Sequence, residues 1–234
     1  MIYKHSYIAV FFCLFSIYSI SQNSETEIPL LNFNKIDIDK FIKVTLIFGD
    51  KESIEILENN NDLEIDYKIN RDKLFLKLKK PKRKITIEEK YIHLKITYNK
   101  LVEIAIKGNQ TINCKNLIKS DELKIVGYGN SNLYISNVSL KHLKTRIYGN
   151  FNISIESGNI QSMKIRAFGN SHVQLKKVKV NRARVLAYGN SNLNLNVNES
   201  LKVSGLGSVT LNYIGKAVLN KGLILGNYNV IKNE

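Results

Sequence analysis

The chain has 234 residues, of which 44% are hydrophobic, and its formal net charge is +15 at pH 7. This length allows one domain with a continuous core, and the apolar fraction excludes a disordered chain. Only two prolines occur, and abundant Ile, Leu, Val, Tyr, Phe and Asn favour strands and turns over helices.

The first residues have the pattern of a secretory signal peptide over 1–21. An apolar run, residues 7–18, follows a basic start and ends at Ser19-Ile20-Ser21 before Gln22. Small residues at positions 19 and 21 predict cleavage after Ser21. The alternative is an uncleaved membrane anchor, but a spanning helix needs roughly 20 apolar residues. We therefore expect an exported protein, periplasmic, surface-bound or secreted, without a transmembrane segment after cleavage.

The positive charge indicates an anionic partner. For an exported protein, acidic polysaccharide, lipopolysaccharide or teichoic acid fits better than nucleic acid, and we predict no nucleic-acid partner. A solvated basic surface without a specific partner is the alternative. The basic run at residues 79–84 is predicted to be a solvated loop.

Residues 31–100 contain short stretches in which apolar and polar residues alternate with a period of two, which predicts strands. These stretches are residues 44–48, 63–67, 74–78, 85–87 and 92–96. Asn70-Arg71-Asp72 lies between two of them and predicts a turn.

A repeat with a fixed period dominates the rest of the chain. Four tripeptides recur every 20 residues: Tyr128-Gly129-Asn130, Tyr148-Gly149-Asn150, Phe168-Gly169-Asn170 and Tyr188-Gly189-Asn190. Lys107-Gly108-Asn109 comes 21 residues before them, and Leu206-Gly207-Ser208 comes 18 residues after them. Repeats of this length are typical of solenoids.

Apolar and polar residues alternate on both sides of each repeated glycine, so each repeat is predicted to be strand, tight turn, strand and looser return. Such coils must stack to bury their apolar faces. The residues predicted to fill the interior include Leu123, Ile125, Leu143, Met163, Ile165 and Val185. The asparagines predicted to bond from coil to coil are Asn130, Asn150, Asn170 and Asn190.

The predicted fold class is thus all-β, a parallel β-helix of about 20-residue coils. We expect residues 22–234 to form one β-helix domain. Within it, residues 31–100 would be N-terminal strands that begin or cap the solenoid, and residues 101–226 would be the repeated coils.

The pattern resembles the putative auto-transporter adhesin, head GIN domain, family of bacterial envelopes. Residues 33–38 and 44–50 look like the family's first strands and turn, and the coils at 123–133, 143–153, 163–173 and 183–193 look like its repeated unit. The resemblance covers roughly residues 31–215. It implies a right-handed β-helix that is exported and has no established catalytic residues. The family often has aspartate where this chain has Asn132, Asn152, His172 and Asn192.

The sequence offers little for catalysis. Hydrolysis of glycosides needs two carboxylates flanking the bond, and a lyase needs a base. The acids in residues 121–200 are Asp121, Glu122, Glu156 and Glu199, and none shares a column with another at a neighbouring coil. We therefore predict no catalytic residue, cofactor or metal site, and Cys114 is expected to be an apolar filler. A polysaccharide-modifying enzyme on the same scaffold is the alternative.

The outward columns are the candidate ligand-binding site. One aromatic column joins Tyr128, Tyr148, Phe168 and Tyr188. The cations of the candidate site are Lys144, Arg146, Lys164, Arg166 and Arg184, and Lys124 is expected to align with Lys144, Lys164 and Arg184 in one column. Like charges one coil apart repel by about 0.9 kcal/mol in water, while aromatic rings beside cations could hold acidic sugars. The sequence predicts an exported, non-catalytic binding or adhesion protein of the cell envelope, with an anionic glycan or envelope polymer as its expected ligand. A passive structural protein, with columns that only stabilise the stack, is the alternative.

Export generates the first testable prediction. N-terminal sequencing of exported protein should begin at or near Gln22, because signal peptidase cleaves after small residues at these positions. Exported material that begins at Met1 would contradict the prediction.

Overall fold

The computed structural model describes residues 27–30, 32–59, 63–79 and 91–233, in which fourteen strands form one sheet system. The strands are β1 Glu27–Pro29, β2 Lys35–Ile38, β3 Ile42–Phe48, β4 Ser53–Asn59, β5 Ile65–Asn70, β6 Lys73–Leu78, β7 Ile92–Tyr98, β8 Glu103–Gly108, β9 Thr111–Gly129, β10 Ser131–Tyr148, β11 Phe151–Phe168, β12 Ser171–Ile214, β13 Val218–Leu225 and β14 Tyr228–Lys232. The predicted signal peptide, the strand at residues 85–87 and the basic run after Lys79 lie outside the described residues.

The second half of the chain is a parallel β-solenoid. β9, β10, β11 and β12 pair in parallel, and residues of β10 and β11 face each other at an interval of 20, as Leu143 faces Met163. β9, β10 and β11 have 18 or 19 residues, and each continues around a corner to form most of a coil. β12 has 44 residues and runs through more than two coils. The predicted all-β solenoid with coils of about 20 residues is confirmed, while its right-handed sense stays a prediction.

The core is a stack of apolar layers inside the coils. The six residues predicted to point inward are all buried, with exposed fractions of 5% or less for each. Cys114 is buried in the same core, and burial raises the pKa of its thiol to about 12. This cysteine therefore acts as an apolar filler, as predicted.

Glycines stack along one corner of the solenoid. The corner column contains Gly108, Gly129, Gly149, Gly169, Gly189, Gly207 and Gly226, all with positive φ. At Gly169 the φ is 108°, and a Cβ atom would lie 2.9 Å from the carbonyl oxygen of Gly149. Both the conformation and the close approach therefore require glycine. Gly226 extends the column by a coil beyond the predicted tripeptides.

The N-terminal strands begin and cap the solenoid, and their order in space differs from their order in the chain. β2 lies between β6 and β8, and β3 lies between β7 and β9, with all four pairings parallel. The coil that contains β2 and β3 therefore lies between the layer of β6 and β7 and the layer of β8 and β9, which both come later in the chain. Antiparallel strands then close this end, since β5 pairs with β6, β4 with β7 and β1 with β4. They cover strand edges that could otherwise recruit another chain.

One coil departs from the repeat in its packing. Phe151 is fully buried at a position that Ser131 and Ser171 occupy in the neighbouring coils. Its ring fills the space beside Gly127, where a Cβ atom would lie 2.4 Å from the ring. The next coil has Ile147 in the column of Gly127. The large side chain of Phe151 is thus accommodated because Gly127 has no side chain.

Replacing Gly127 with Ile, the residue of the next coil, should lower the free energy of unfolding by about 1–3 kcal/mol, because the new side chain would overlap the Phe151 ring. Urea denaturation measures this change. Adding Phe151→Ser should recover part of the loss, with a coupling of about 0.5–3 kcal/mol between the two sites. Strictly additive effects would show that Phe151 is not the reason for the glycine.

Candidate ligand-binding face

The predicted site residues lie together on one outer face of the solenoid. We call this the cationic face; it consists of the outward side chains of residues 123–128, 143–148, 163–168 and 183–188. Lys124, Lys144, Lys164 and Arg184 occupy one column in direct register. Arg146 and Arg166 are paired in the next column, where Val126 and Leu186 stand at either end. The register predicted for these residues is confirmed, and their role in binding stays a prediction.

The aromatic column is a continuous stack of rings. Ring centroids of Tyr128 and Tyr148 are 5.0 Å apart, those of Tyr148 and Phe168 are 5.0 Å apart, and those of Phe168 and Tyr188 are 5.4 Å apart. The planes are parallel to within 9°. No sugar ring fits between rings at this spacing, so the two inner residues offer a ligand only their edges and the Tyr148 hydroxyl.

Acidic side chains neutralise the cationic face at its N-terminal end. Glu103 accepts hydrogen bonds from Lys73 at 2.6 Å and Lys124 at 2.9 Å, and Glu122 accepts one from Lys144 at 2.6 Å. Burial raises the pKa of Glu103, but the two lysines outweigh burial and hold this pKa below its usual range. Glu103 is therefore ionised and compensates the first cations of the column.

The later coils lack this compensation. Within the described part of the chain, no carboxylate oxygen lies within 4.0 Å of a side-chain nitrogen of Arg146, Lys164, Arg166 or Arg184. The pKa of Lys164 is lowered, mainly by Arg166, with smaller contributions from burial, Arg184, Lys144 and Arg146. These cations repel one another, and a bound anion would relieve that repulsion.

A trough runs parallel to the solenoid axis at the edge of the cationic face. Its volume is about 380 Å³, and Leu143, Met163 and Ala183 form its floor. The polar residues along its sides are His142, Lys144, Ser162, Lys164, Arg182, Arg184, Ser200 and Lys202. A smaller cavity of about 140 Å³ lies between Lys144 and Arg146 of one coil and Lys164 and Arg166 of the next.

Five polar residues of the trough were missed in the sequence: His142, Ser162, Arg182, Ser200 and Lys202. The first three precede the lysine and arginine column by two residues in successive coils, which is the signal that could have found them. Ser200 and Lys202 follow at an interval of 18 rather than 20, because the repeat shortens there.

The asparagine corner beside the aromatic column carries a polar ladder. Asn170 donates a hydrogen bond to Asn150 at 2.8 Å, which forms one step of the predicted ladder. Asn152 donates to Asn132 at 2.7 Å in a second, unpredicted column. Both interactions link successive coils, so the asparagines stabilise the stack in register.

Side chains that could bind a metal ion do not cluster in the described part of the chain. Among the described residues, no three His, Cys, Asp or Glu side chains come together as a metal site would require. His172 forms a 2.7 Å hydrogen bond with Gln174 on its own strand. In the same described ranges, no helix has the length and apolar character needed to span a membrane.

The sequence model of the family described as "Putative auto-transporter adhesin, head GIN domain" matches residues 32–217. The chain belongs to this family. The resemblance indicated by the opening strands and the repeated coils is thus confirmed. No curated protein matches the chain.

Solved structures share the fold of this head GIN domain. A putative adhesin from Bacteroides fragilis is 20% identical with a TM-score of 0.74, over 89% of this chain and 95% of that chain. A putative adhesin from Parabacteroides distasonis is 16% identical with a TM-score of 0.69, over 88% and 95%. A protein from the same species described as a putative lipid binding protein is 14% identical with a TM-score of 0.68, over 89% and 95%. At these identities the likeness shows the fold alone.

The repulsion on the cationic face can be measured at a single residue. Replacing Arg166 with Gln should raise the pKa of Lys164, because Arg166 is the largest cause of its lowered value. NMR titration of the lysine side-chain resonances measures the change. Arg182→Gln removes an equal charge that is not among the causes at Lys164, so its effect should be smaller. Equal shifts in both variants would contradict this assignment.

Proposed function

We propose that this protein is an exported, non-catalytic binding or adhesion protein of the bacterial cell envelope that recognises an anionic glycan or envelope polymer on its cationic face. The observation that carries the proposal is a group of cations that have no carboxylate partner among the described residues: Arg146, Lys164, Arg166 and Arg184. Their charges are aligned by the coil register, and the trough beside them gives an anion access.

Export to the envelope is supported by two independent features. Residues 1–21 have the pattern of a signal peptide. The family description and the names of two structural relatives refer to adhesins, which act at cell surfaces. The lipid-binding description of another relative is compatible with the same charge preference, since many lipid headgroups are anionic.

A binding role accounts for the cationic face better than the two alternatives. A polysaccharide-modifying enzyme would need paired acids beside the ligand, whereas Glu103 and Glu122, beside the first cations of this face, are engaged with lysines. A passive structural role explains the stacked rings and the asparagine ladder. It does not explain a column of repelling cations, which lowers the stability of the stack.

Binding to anionic polysaccharides, compared with neutral ones, tests the function. The double variant Arg146→Ala and Arg166→Ala should weaken binding at least several-fold and flatten its dependence on salt, because each lost contact is a screened attraction. Isothermal titration calorimetry at several salt concentrations measures both effects. The free energy of unfolding should be unchanged or slightly increased, since repulsion is relieved.

The matched control is Lys176→Ala with Lys177→Ala, which removes two exposed positive charges outside the cationic face. This control should retain nearly all of the affinity. Equal losses in the two double variants would indicate nonspecific attraction to a basic protein. Lower stability of the Arg146 and Arg166 variant with unchanged binding would favour the structural alternative.

A further inference from the structure

We propose that the ligand is an extended linear polyanion that lies along the solenoid axis in the trough and presents about one negative charge to each coil. This inference rests on the proposed function and adds the shape, orientation and charge spacing of the ligand. It excludes a compact anion, such as a single headgroup, as the principal ligand.

The axial direction of the ligand follows from the two walls of the trough. One wall takes His142, Ser162, Arg182 and Ser200 from four successive coils, and the other takes Lys144, Lys164, Arg184 and Lys202 from the same coils. Both walls therefore run from coil to coil, parallel to the axis. Four coils span about 14 Å at the usual spacing between strands.

The distribution of cations favours the same direction. Along the axis, the second wall supplies a new cation at every coil, about every 4.8 Å. Along a single strand such as β11, a ligand would meet Lys164 and Arg166 and then the Phe168 ring. An axial polymer thus meets the four cations of this wall, whereas a ligand that follows β11 meets two cations, Lys164 and Arg166.

The ion pairs and the mutual repulsion of the trough cations explain why one small anion would not neutralise them all. Lys144 is paired with Glu122 at one end of the trough. Arg182, which belongs to the opposite wall, lies 3.8 Å from Glu199. Lys164 and Arg184 lie between these pairs, and both Arg184 and Arg166 lower the pKa of Lys164. An anion that spans a single coil would leave most of this repulsion in place, whereas a row of anions would compensate each coil in turn.

The stacked aromatic rings favour an axial direction of the ligand, and their faces are not available to stack on its sugar rings. Their faces cover one another along the axis, so they form a border of ring edges, with a tyrosine hydroxyl at three of its four positions. A polymer parallel to the axis meets one cation and one ring edge at each of the coils that carry Lys144, Lys164 and Arg184. The border thus keeps the environment similar over these three coils.

The test is the dependence of affinity on ligand length, measured by calorimetry with oligogalacturonates of two to eight residues and with polyphosphate of matched lengths. Each galacturonate residue carries one charge, as does each internal residue of polyphosphate, while the terminal phosphates carry a second ionisable group. Affinity should rise about two- to fivefold per added residue, as expected for exposed ion pairs, and level off when the oligomer fills the trough, at about four residues. Vesicles of phosphatidylglycerol and phosphatidylcholine supply the headgroup comparison.

Lys202→Ala removes the last cation of the wall. It should shorten the length at which affinity levels off by about one residue and leave the binding of the shortest oligomers almost unchanged, because these can bind at other coils. Lys177→Ala, an exposed lysine outside the trough, should leave the whole series unchanged.

The outcomes separate this inference from the proposed function. Binding that depends on Arg146 and Arg166 but not on oligomer length would overturn the axial polymer and leave an anion-binding face. Tighter binding to the vesicles than to any oligomer would replace the polymer with a membrane surface. No binding to either oligomer series would overturn the axial polyanion, and failure of other anionic polysaccharides as well would overturn the proposed function.

Discussion

The close approach of successive backbones at the glycine corner is the constraint on which the rest of the structure depends. At Gly149 and Gly169 the chain turns with positive φ, and no side-chain atom fits between the coils. Each coil therefore turns at the same place and lies directly on the previous one. This fixes the register of every outward column, so the chemistry of the surface is a consequence of where the glycines stand.

A fixed register acts differently on different side chains. Aromatic rings gain from it because they stack face to face, and asparagines gain because an amide can donate to the amide of the next coil. The columns of lysines and arginines are destabilised, since the same register brings like charges together. Among the residues that the structure describes, Glu103 and Glu122 offset this loss, but no carboxylate does so around Lys164. The columns that stabilise the stack and the columns suited to an anion therefore lie side by side on one face.

The sequence predicted the features that repeat and missed those that depend on one coil. The period of 20 gave the solenoid, the buried residues and the alignment of Lys144, Lys164 and Arg184, because each is a property of the register. The filling of the space beside Gly127 by Phe151 is a contact between different positions of different coils, which periodicity does not encode.

Features that depart from the strict period of 20 could not be predicted from the sequence either. Lys202 was missed as a trough residue because it follows Arg184 after 18 residues rather than 20. The insertion of β2 between β6 and β8 brings together segments separated along the chain, and alternation identifies strands without identifying their partners. The face-to-face contact of the rings likewise required side-chain geometry, and it decides which ring surfaces a ligand can reach.

The rigidity of the solenoid makes the remaining repulsion useful for binding. Backbone atoms beneath Lys164 and Arg184 are held in the sheet, so these cations cannot separate except by bending their own side chains. A ligand that brings negative charge at the coil spacing finds its partners already aligned, and the main entropic cost left on the protein is the ordering of those side chains. Relief of the repulsion then adds to the attraction itself. The cationic face thus favours anions spaced like the coils over anions of equal charge in another arrangement, which is selectivity that arises from the fold.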